Sequence, residues 1–390
     1  MVFSGELLPN PIPLKIQFPI SKQGHVTQLS MAILQVHVPA YNEEKSIEKS
    51  VRSILDQSFT DFTLTIYDNK STDDTLSICK DLAKQDSRIL INEAPINSGA
   101  LMNGYRIRCG YNARYVAIRS ANDFIACDFF KESVALLEND PSVSLAYSHG
   151  FVFKDSPENA TPIADQFKID TRGLSQIDSA KEVMIRYTHP FALWGVYRRS
   201  AFERCRPYQY TYGGDHIVIA EMSLYGAIAP IPSRLDYRAL GTQDIVSGLQ
   251  ANAASQLEEH IRQTPKNSYY YGTKQILPFT DMAWGHAEMF SLAMVDENSK
   301  HALIKLAVDI LKLRFGNFMQ DEANRYIEFI SSTLGNLEKL PPSKSLNVYW
   351  WLHKAKKELD KIRFLNTYPN SRLSEMEVRA TALQVRFSNN

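Results

Sequence analysis

The segment 33–75, ILQVHVPAYNEEKSIEKSVRSILDQSFTDFTLTIYDNKSTDDT, constrains the fold most, because it contains two apolar runs that each end in a polar loop leading into a helix. The first run, residues 33–38, is predicted to be a strand that stops at Pro39, which has no backbone donor for a ladder. Apolar residues then recur at helical spacing over 47–55. A second strand is predicted at 64–67. This order indicates a βαβ unit, and ligands of open α/β sheets bind beyond the carboxyl ends of such strands.

The two loops, PAYNEE after the first strand and DNKSTDDT after the second, resemble the nucleotide-binding half of family 2 glycosyltransferases, which have the GT-A fold. The resemblance extends over about residues 33–240, although Asn69 stands where the family commonly has a second Asp. It implies an α/β fold with a GT-A sheet and flanking helices, and a UDP- or dTDP-linked sugar as donor. By resemblance, Asp68 hydrogen-bonds the pyrimidine base. The other residues that it implies for the donor site are Pro39, Ala40, Tyr41, Glu43, Asn97, Gly99, Asn103, Arg119, Ala121 and Asn122.

Composition limits the classes of partner and the cellular compartment. The chain has 390 residues, 44% of them hydrophobic, and equal numbers of basic and acidic residues, 43 each, so its net charge provides no argument for nucleic-acid binding. No run of about twenty apolar residues is present, so a membrane-spanning helix is not expected. The cysteines lack C-x-x-C spacing, which predicts buried or inert thiols in a reducing, cytoplasmic compartment without disulfides or zinc. They are Cys79, Cys109, Cys127 and Cys205.

The order of apolar segments predicts a mainly parallel sheet followed by helices. We expect an irregular leader at 1–30, a GT-A domain at 31–242 and a helical region at 243–390. In the GT-A domain, strands are predicted at 88–91, 115–119, 143–147 and 227–240, and helices at 76–83, 128–138 and 178–187. In the helical region, helices are predicted at 256–263, 286–294, 301–315, 321–334 and 348–364, with Gly335 as a C-terminal cap.

The loop Ser120-Ala121-Asn122-Asp123 stands where the family has its D-x-D metal motif, and it contains only one carboxylate. Divalent cations prefer hard oxygen ligands, and in such enzymes the cation bridges the donor diphosphate. By resemblance, Asp123 and Asn122 would bind Mn²⁺ or Mg²⁺ as a weak site. Metal-independent transfer, in which a cation such as Arg119 assists the phosphates, and loss of activity are the alternatives.

Asn97, Gly99 and Asn103 resemble the family's N-x-G-x-x-x-N variant at a loop that enters a helix. Glycine there lets the backbone approach a ligand closely. An ordinary helix start explains the same residues, and the sequence leaves both interpretations open.

The acceptor side is predicted around residues 188–199, which resemble the family's G-x-[YF]-R-R strand. Trp194 either stacks on a sugar or belongs to the core. Asp215, which follows two glycines, is the catalytic base by resemblance, although Asp is also a favoured N-cap residue. His216 is assigned to the acceptor site together with Trp194.

These features predict an inverting glycosyltransferase that acts on a saccharide or lipid-linked acceptor. A binding module that lost its metal motif and its catalysis is the alternative, whereas a nicotinamide dehydrogenase is excluded by the absence of G-x-G-x-x-G after the first strand. The basic and aromatic helix at 348–364 suits either peripheral contact with an anionic membrane or packing against the domain with its lysines in water.

Overall fold

A computed structural model describes residues 32–108, 110–154, 156–206, 213–240, 277–339, 345–367 and 369–388. The chain from Ala32 to Asn390 clusters into one compact unit. The predicted leader at 1–30, the helix at 256–263, the boundary between 242 and 243 and Cys109 lie outside the described residues.

The strands alternate with helices up to β4, and helices dominate the last third of the chain. The strands are β1 (Leu34–Ala40), β2 (Phe62–Asp68), β3 (Ile89–Glu93), β4 (Tyr115–Ile118), β5 (Phe124–Ile125), β6 (Val143–Tyr147), β7 (Phe151–Phe153), β8 (Thr161–Pro162), β9 (Val196–Arg198), β10 (Ala227–Pro230) and β11 (Asp236–Ala239). The helices are α1 (Ile47–Leu55), α2 (Thr75–Gln85), α3 (Ala100–Arg108), α4 (Phe129–Asn139), α5 (Gln176–Arg186), α6 (Arg199–Phe202), α7 (Gly214–Met222), α8 (Pro278–Leu292), α9 (Glu297–Leu337), α10 (Ser345–Leu365) and α11 (Asn370–Ser388).

The main sheet has the strand order β10-β6-β9-β4-β1-β2-β3. Strand β1 pairs in parallel with β2 and β4, whereas β9 runs antiparallel to its neighbours β4 and β6. Helices α1, α2 and α4 share one apolar cluster with the sheet, and α5, α7, α8 and α9 share another. The predicted, mainly parallel α/β sheet is therefore confirmed, with β9 as the antiparallel insertion.

Strand β1 continues through Pro39 to Ala40, so the predicted end at Pro39 is wrong. The last pair that β1 makes with β4 joins His37 to Ile118, and Pro39 lies beyond it. Its missing amide hydrogen therefore removes no bond on that side. On the other side, β1 pairs with β2 as far as Ala40 and Asp68, which brings the two strand-end loops together.

The single strand predicted at 227–240 is two strands in two sheets. Strand β10 lies at the edge of the main sheet, and the chain then crosses to a smaller sheet of order β5-β11-β7-β8. In that sheet β11 pairs antiparallel with β5 and parallel with β7. This crossing places β11 next to the loop that joins β4 to β5, where the metal motif was expected.

The two helices predicted at 301–315 and 321–334 are one helix of 41 residues, α9, and Gly335 lies inside it rather than capping it. Residues 316–320 contain no proline, and Met319 is buried, so packing outweighs the cost of Gly316, about 1 kcal/mol for a glycine in a helix. Helix α8 starts at Pro278, well before the predicted start at 286, because proline suits the first turn.

Helix α10 matches the helix predicted at 348–364, and α11 after it was not predicted. Leu352, Leu359 and Ile362 of α10 are fully buried in a cluster with α9 and α11. Packing against neighbouring helices therefore accounts for its apolar face. Within the described residues, no helix has the length and hydropathy needed to cross a membrane.

Candidate functional site

The loops after β1 and β2 are joined by hydrogen bonds between side chains and backbone amides. Asn42 accepts a bond from the Thr72 amide at 2.8 Å through its Oδ1, and the Glu43 amide donates to Thr75 Oγ1 at 2.7 Å. Asn42 has a φ of 55°, a left-handed conformation that asparagine tolerates better than most residues. Pro39 and Ala40 end the strand, and Tyr41 is half-buried in the loop that follows. The sequence therefore brings these residues to the carboxyl edge of the sheet, as predicted.

Asp68 is fully buried at the end of β2. Its Oδ2 accepts bonds from the amides of Lys70, at 3.0 Å, and Ser71, at 3.2 Å, and Lys70 has a φ of 63°. In this conformation the carboxylate holds the turn that starts the second loop. Its predicted contact with a nucleotide base stays a prediction.

Asn69, the residue that departs from the family pattern, connects the second loop to the third. Its Nδ2 donates to Asn97 Oδ1 at 2.8 Å, and the same oxygen accepts from the Gly99 amide at 2.9 Å. Gly99 has a φ of 85°, which explains the glycine at this position. Asn103 is buried and donates from Nδ2 to the carbonyl of Tyr67 at 2.9 Å. These asparagines therefore fix the loops of the donor side relative to one another.

Arg119 is enclosed in an ion pair with Asp236 of β11. Its Nη2 lies 2.7 Å from Asp236 Oδ1 and its Nη1 lies 3.2 Å from Oδ2, and the two side chains are 2% and 0% exposed. Nη1 also donates to the carbonyl of Trp194, and the guanidinium lies over the ring of Phe129. This arginine anchors β11 and has no surface with which to reach a phosphate, so the structure does not support the alternative in which Arg119 assists the donor.

Asp123 also pairs with β11 and is 1% exposed. Its Oδ1 accepts a bond from the Ala239 amide at 2.9 Å, and its Oδ2 lies 3.0 Å from Nη2 of Arg238. Burial raises its pKa, an effect that Arg238 opposes. Asn122 Oδ1 accepts a hydrogen bond from the Ser120 hydroxyl, and Ala121 is buried.

These partners decide whether the loop fits a divalent cation. A cation needs several hard oxygens with free lone pairs, whereas the one carboxylate here faces a guanidinium and a backbone amide. Among the described residues, no group of three or more His, Cys, Asp or Glu side chains is arranged to hold a metal ion. As arranged here, the loop does not fit the expected Mn²⁺ or Mg²⁺.

The guanidinium of Arg238 contacts Asp123 and lies near two aromatic rings, and these residues form the centre of the candidate site. Arg238 Cζ lies 5.1 Å from the ring centroid of Trp194 and 5.9 Å from that of Phe191. Its charge lowers the pKa of Asp123 and also, as the weakest of several causes, that of Asp215. Asp123 therefore pairs directly with this guanidinium, whereas Asp215 lies within the range of its charge. Nη1 of Arg238 and Nε1 of Trp194 are buried and have no hydrogen-bond partner among the described residues.

Glu43 connects the first loop to this centre. Burial raises its pKa, the hydroxyl of Ser46 opposes the rise, and the carboxylate of Asp123 adds to it. The loops after β1 and β4 therefore meet at one place.

Asp215 lies in the first turn of α7 and is half-buried. Its Oδ2 accepts a bond from the hydroxyl of Tyr187 at 3.3 Å. Burial raises its pKa, while the amides of His216 and Asp215, the Tyr187 hydroxyl and Arg238 act in the opposite direction. The N-cap residue is Gly213, with a φ of 67°, so the alternative that Asp215 serves as the N-cap is wrong.

His216 faces away from the acceptor side. It is 3% exposed, and its ring contacts His286 of α8 and Arg314 of α9. All residues of α7 except Asp215 are buried, and the His216 ring contacts the C-terminal helices. Its assignment to the acceptor site is not supported by this geometry.

Four residues of the site were not predicted from the sequence: Asn69, Tyr187, Asp236 and Arg238. Asp236 and Arg238 stand two residues apart on a strand, so their side chains lie on one face of it. An acid and a base at that spacing in a partly buried strand could have indicated partners elsewhere in the fold. Asn69 and Tyr187 carry no such sequence signal, because nothing in the residues around them identifies their partners.

Comparison with known proteins identifies the part of the chain that contains the loops after β1, β2 and β4, whereas Asp215, Asp236 and Arg238 lie beyond the matched residues. The family model described as "Glycosyl transferase family 2" matches residues 35–205. An uncharacterized glycosyltransferase of Haemophilus influenzae is 25% identical over 54% of this chain and 67% of its own length. The Campylobacter jejuni GalNAc(5)-diNAcBac-PP-undecaprenol beta-1,3-glucosyltransferase is 41% identical, over 15% of this chain and 19% of its own length.

Among solved structures, S. aureus TarS 1-349 in complex with UDP has a TM-score of 0.50 at 14% identity and covers 91% of each chain. At this identity the likeness shows the fold alone, and that fold is of the GT-A type. A teichuronic acid biosynthesis glycosyltransferase of Bacillus subtilis is matched over only 36% of its length, so this chain spans much less than two thirds of several relatives.

Proposed function

Because residues 35–205 belong to glycosyl transferase family 2 and the chain is accordingly a glycosyltransferase, we propose that it moves a sugar from a nucleotide-diphosphate donor to a hydroxyl acceptor with inversion at the anomeric carbon. The observation that carries this proposal is that Asp123, at the donor side, and Asp215 are both within the electrostatic reach of Arg238. Two separated parts of the sequence therefore supply carboxylates to one centre.

Asp215 is proposed as the base that accepts the proton of the acceptor hydroxyl. An inverting transfer needs a carboxylate opposite the leaving group and within hydrogen-bond reach of the attacking oxygen. Asp68 is engaged by the amides of its own loop, and Asp123 by Arg238 and Ala239. Among the described residues, Asp215 accepts from the Tyr187 hydroxyl and from amides of its own turn, and it is half-buried, whereas Asp68 and Asp123 are buried. The first turn of a helix favours the anionic form of Asp215.

The donor diphosphate would be bound by groups of the protein, and no step in this proposal uses a metal. Arg238 Nη1 and Trp194 Nε1 are buried N–H donors without partners among the described residues. An unmet buried donor costs about 1–3 kcal/mol, so an oxygen of a bound ligand would remove that cost. This supports Arg238 and Trp194 as ligand-binding residues of the same centre.

A binding module without catalysis is the second candidate, and the engagement of Asp123 by Arg238 favours it. It differs from the enzyme in one measurable respect, since it would bind a nucleotide-sugar without forming free nucleotide diphosphate. An assay of free nucleotide in the presence of donor and acceptor therefore decides between them.

We further propose a UDP- or dTDP-linked sugar as donor and a saccharide or lipid-linked acceptor, used in surface polysaccharide or glycolipid synthesis at the cytoplasmic face of the membrane. The support is the resemblance of the Asp68 loop to pyrimidine-binding relatives and the name of the C. jejuni relative, which includes PP-undecaprenol. The screen is a thermal-shift series with nucleotide-sugars, in Mn²⁺ and in chelator, because a ligand stabilises the fold by mass action.

The decisive variant is Asp215→Asn, which preserves shape and removes the base. Turnover should fall by roughly 10²–10⁴-fold while donor affinity stays the same. Asp178, in the first turn of α5 and exposed, is a matched control, so Asp178→Asn should leave turnover unchanged. Near-normal turnover by the Asp215→Asn variant would show that another residue is the catalytic base.

Contact with a membrane surface is proposed through the exposed lysines of α10, Lys356 and Lys357. Deleting the helix is not a suitable test, because its apolar face belongs to the core. Reversing both charges to Glu should weaken binding to anionic vesicles by at least about 30-fold, since each lysine contributes about 1 kcal/mol near such a surface. Equal vesicle binding by this variant and by a control reversed at the exposed Lys84 and Lys131 would refute the contact.

A further inference from the structure

Two buried histidines connect the helix of the proposed base to the C-terminal helices. His216 Nδ1, on α7, lies 2.8 Å from His286 Nε2, on α8. His286 Nδ1 lies 2.8 Å from the carbonyl oxygen of Met282. At the other end, Nη1 of Arg314, on α9, lies 3.3 Å from His216 Nε2 and also donates to the carbonyl of Met184. Both rings have almost no exposed surface.

The two ends of this chain of contacts determine where the protons are. A carbonyl only accepts, so His286 Nδ1 must carry a proton and its Nε2 is the acceptor. His216 Nδ1 must then donate to His286 Nε2, which leaves His216 Nε2 as the acceptor that faces Arg314, and the carbonyl of Met184 near the same ring accepts from Arg314. The hydrogen bonds are therefore donated in one order, from Arg314 to His216, from His216 to His286 and from His286 to the carbonyl of Met282. The chain is complete only while both rings are neutral, and burial lowers the pKa of each, that of His286 to about 4.

The same helix α8 also contacts the start of α7. A side chain at Gly213 would come within 2.8 Å of the sulfur of Met282, so the left-handed turn that precedes Asp215 packs directly on α8. The ring of Tyr187, whose hydroxyl donates to Asp215, stands edge-on to His216 with centroids 5.5 Å apart. Met282 and the two histidines thus border both sides of the Asp215 turn.

We propose that His286 is a positioning residue for Asp215: by fixing the ring of His216, it holds the first turn of α7 and the Tyr187 hydroxyl in the geometry that the base requires. The helices that follow the glycosyltransferase fold are then part of the catalytic unit. This inference rests on the proposed function, because it takes Asp215 to be the base. The charged and titratable groups that face this arrangement are Arg314, Arg238, Tyr187 and the two histidines.

The test compares two substitutions of His286. His286→Leu removes the acceptor for His216, and turnover should fall roughly 10- to 100-fold, the scale of a small displacement of a catalytic group, with donor affinity unchanged. The acid limb of the pH profile should move to higher pH, because the Tyr187 bond that lowers the pKa of Asp215 is weakened. His286→Gln keeps an oxygen that can accept from His216 and should restore most of the turnover.

A matched control removes a buried hydrogen bond from the same helix without touching α7. Thr280 Oγ1 donates to Glu322 at 2.7 Å, so Thr280→Val should lower stability and leave turnover and the acid limb unchanged. The proposal is overturned if His286→Gln loses as much activity as His286→Leu, or if Thr280→Val has the same effect. Should His286→Leu fail to fold, Arg314→Met breaks the chain from its other end.

A readout that needs no activity separates this proposal from the proposed function. Nitrogen NMR of histidine-labelled protein should find His216 and His286 neutral, each with its proton on Nδ1, at pH 7. A proton on Nε2 of His286 would refute the positioning role even if the enzyme transfers sugar. Conversely, a wild-type chain that turns over no nucleotide-sugar would refute the proposed function and leave the histidine arrangement to be judged by NMR alone.

Discussion

Asp68 and Asp123 are both buried acids beyond strands of one sheet, yet they are held in different ways. Asp68 accepts from amides two and three residues further along its own loop. Asp123 accepts from Ala239 and pairs with Arg238, more than a hundred residues away. The first arrangement is local, and the second exists only because the chain crosses from the main sheet to the small one.

The comparison shows that two buried acids of one sheet can be held by different means, one by its own loop and the other by a distant strand. The loop after β2 is held by hydrogen bonds between its own residues, so its sequence pattern is enough to identify it. A carboxylate without further acids beside it must find another partner when buried, because an unpaired buried charge is costly. Here that partner is an arginine, and it takes the place in which a cation was expected.

The largest loss of stability should follow from breaking the buried ion pair between Arg119 and Asp236. Asp236→Asn leaves Arg119 buried without its charge partner, and the free energy of unfolding should fall by about 3–5 kcal/mol, measured by urea denaturation. Glu48→Gln removes the carboxylate of an exposed pair with Arg52 and should cost about 1 kcal/mol or less. If the two variants are equally stable, the ion pair between Arg119 and Asp236 does not anchor β11. The claim that distant residues of β11 hold the region around Asp123 would then be wrong.

A smaller effect should follow from breaking the local loop. Asp68→Ala leaves the amides of Lys70 and Ser71 without an acceptor, and UDP affinity should weaken by about 1.5–3 kcal/mol, the scale of a lost hydrogen bond to a charged group. Calorimetry measures it, with Asp74→Ala as the control, because Asp74 is exposed and makes no side-chain capping bond. Unchanged affinity in Asp68→Ala would mean that this loop does not bind the nucleotide.

The smallest effect tests the contact between the first two loops. Asn42→Ala removes the acceptor of the Thr72 amide at an exposed site, which should lower stability by about 0.5–1.5 kcal/mol. Asn42→Gly loses the same bond and relieves the left-handed backbone, so it should be the more stable of the two. The reverse order, measured by thermal unfolding, would show that the side chain rather than the backbone conformation decides the residue at this position.

The cysteines show which structural features can be predicted from composition and spacing. Within the described part of the chain, Cys79, Cys127 and Cys205 are free, and burial raises the pKa of Cys79 to about 12, so that thiol is inert as expected. Cys127 is free and exposed, so its inertness stays a prediction. Composition identifies the absence of pairing motifs but not which side of an element a residue occupies.

The sequence alone determined the features that depend on neighbours along the chain. Alternating apolar segments and polar strand ends were enough for the α/β sheet and its carboxyl edge, and the loops around Asp68 and Gly99 carry their own hydrogen-bond partners. The family resemblance came from these same local motifs. Periodicity also found α10, although it divided α9 in two, because a short polar interruption looks like a loop until its buried face is known.

Tertiary structure decided everything that depends on distant partners. Pro39 could stay in β1 only because β4 ends before it, and Arg119 was assigned to phosphate until Asp236 enclosed it. Arg238 reaches Asp123 through a strand crossing, and His286 reaches His216 through helix packing, and neither contact has a local signature in the sequence. The physical reason is that burial makes an unpaired charge or donor costly wherever it lies in the sequence, so partners are selected by proximity in the fold and not by spacing along the chain.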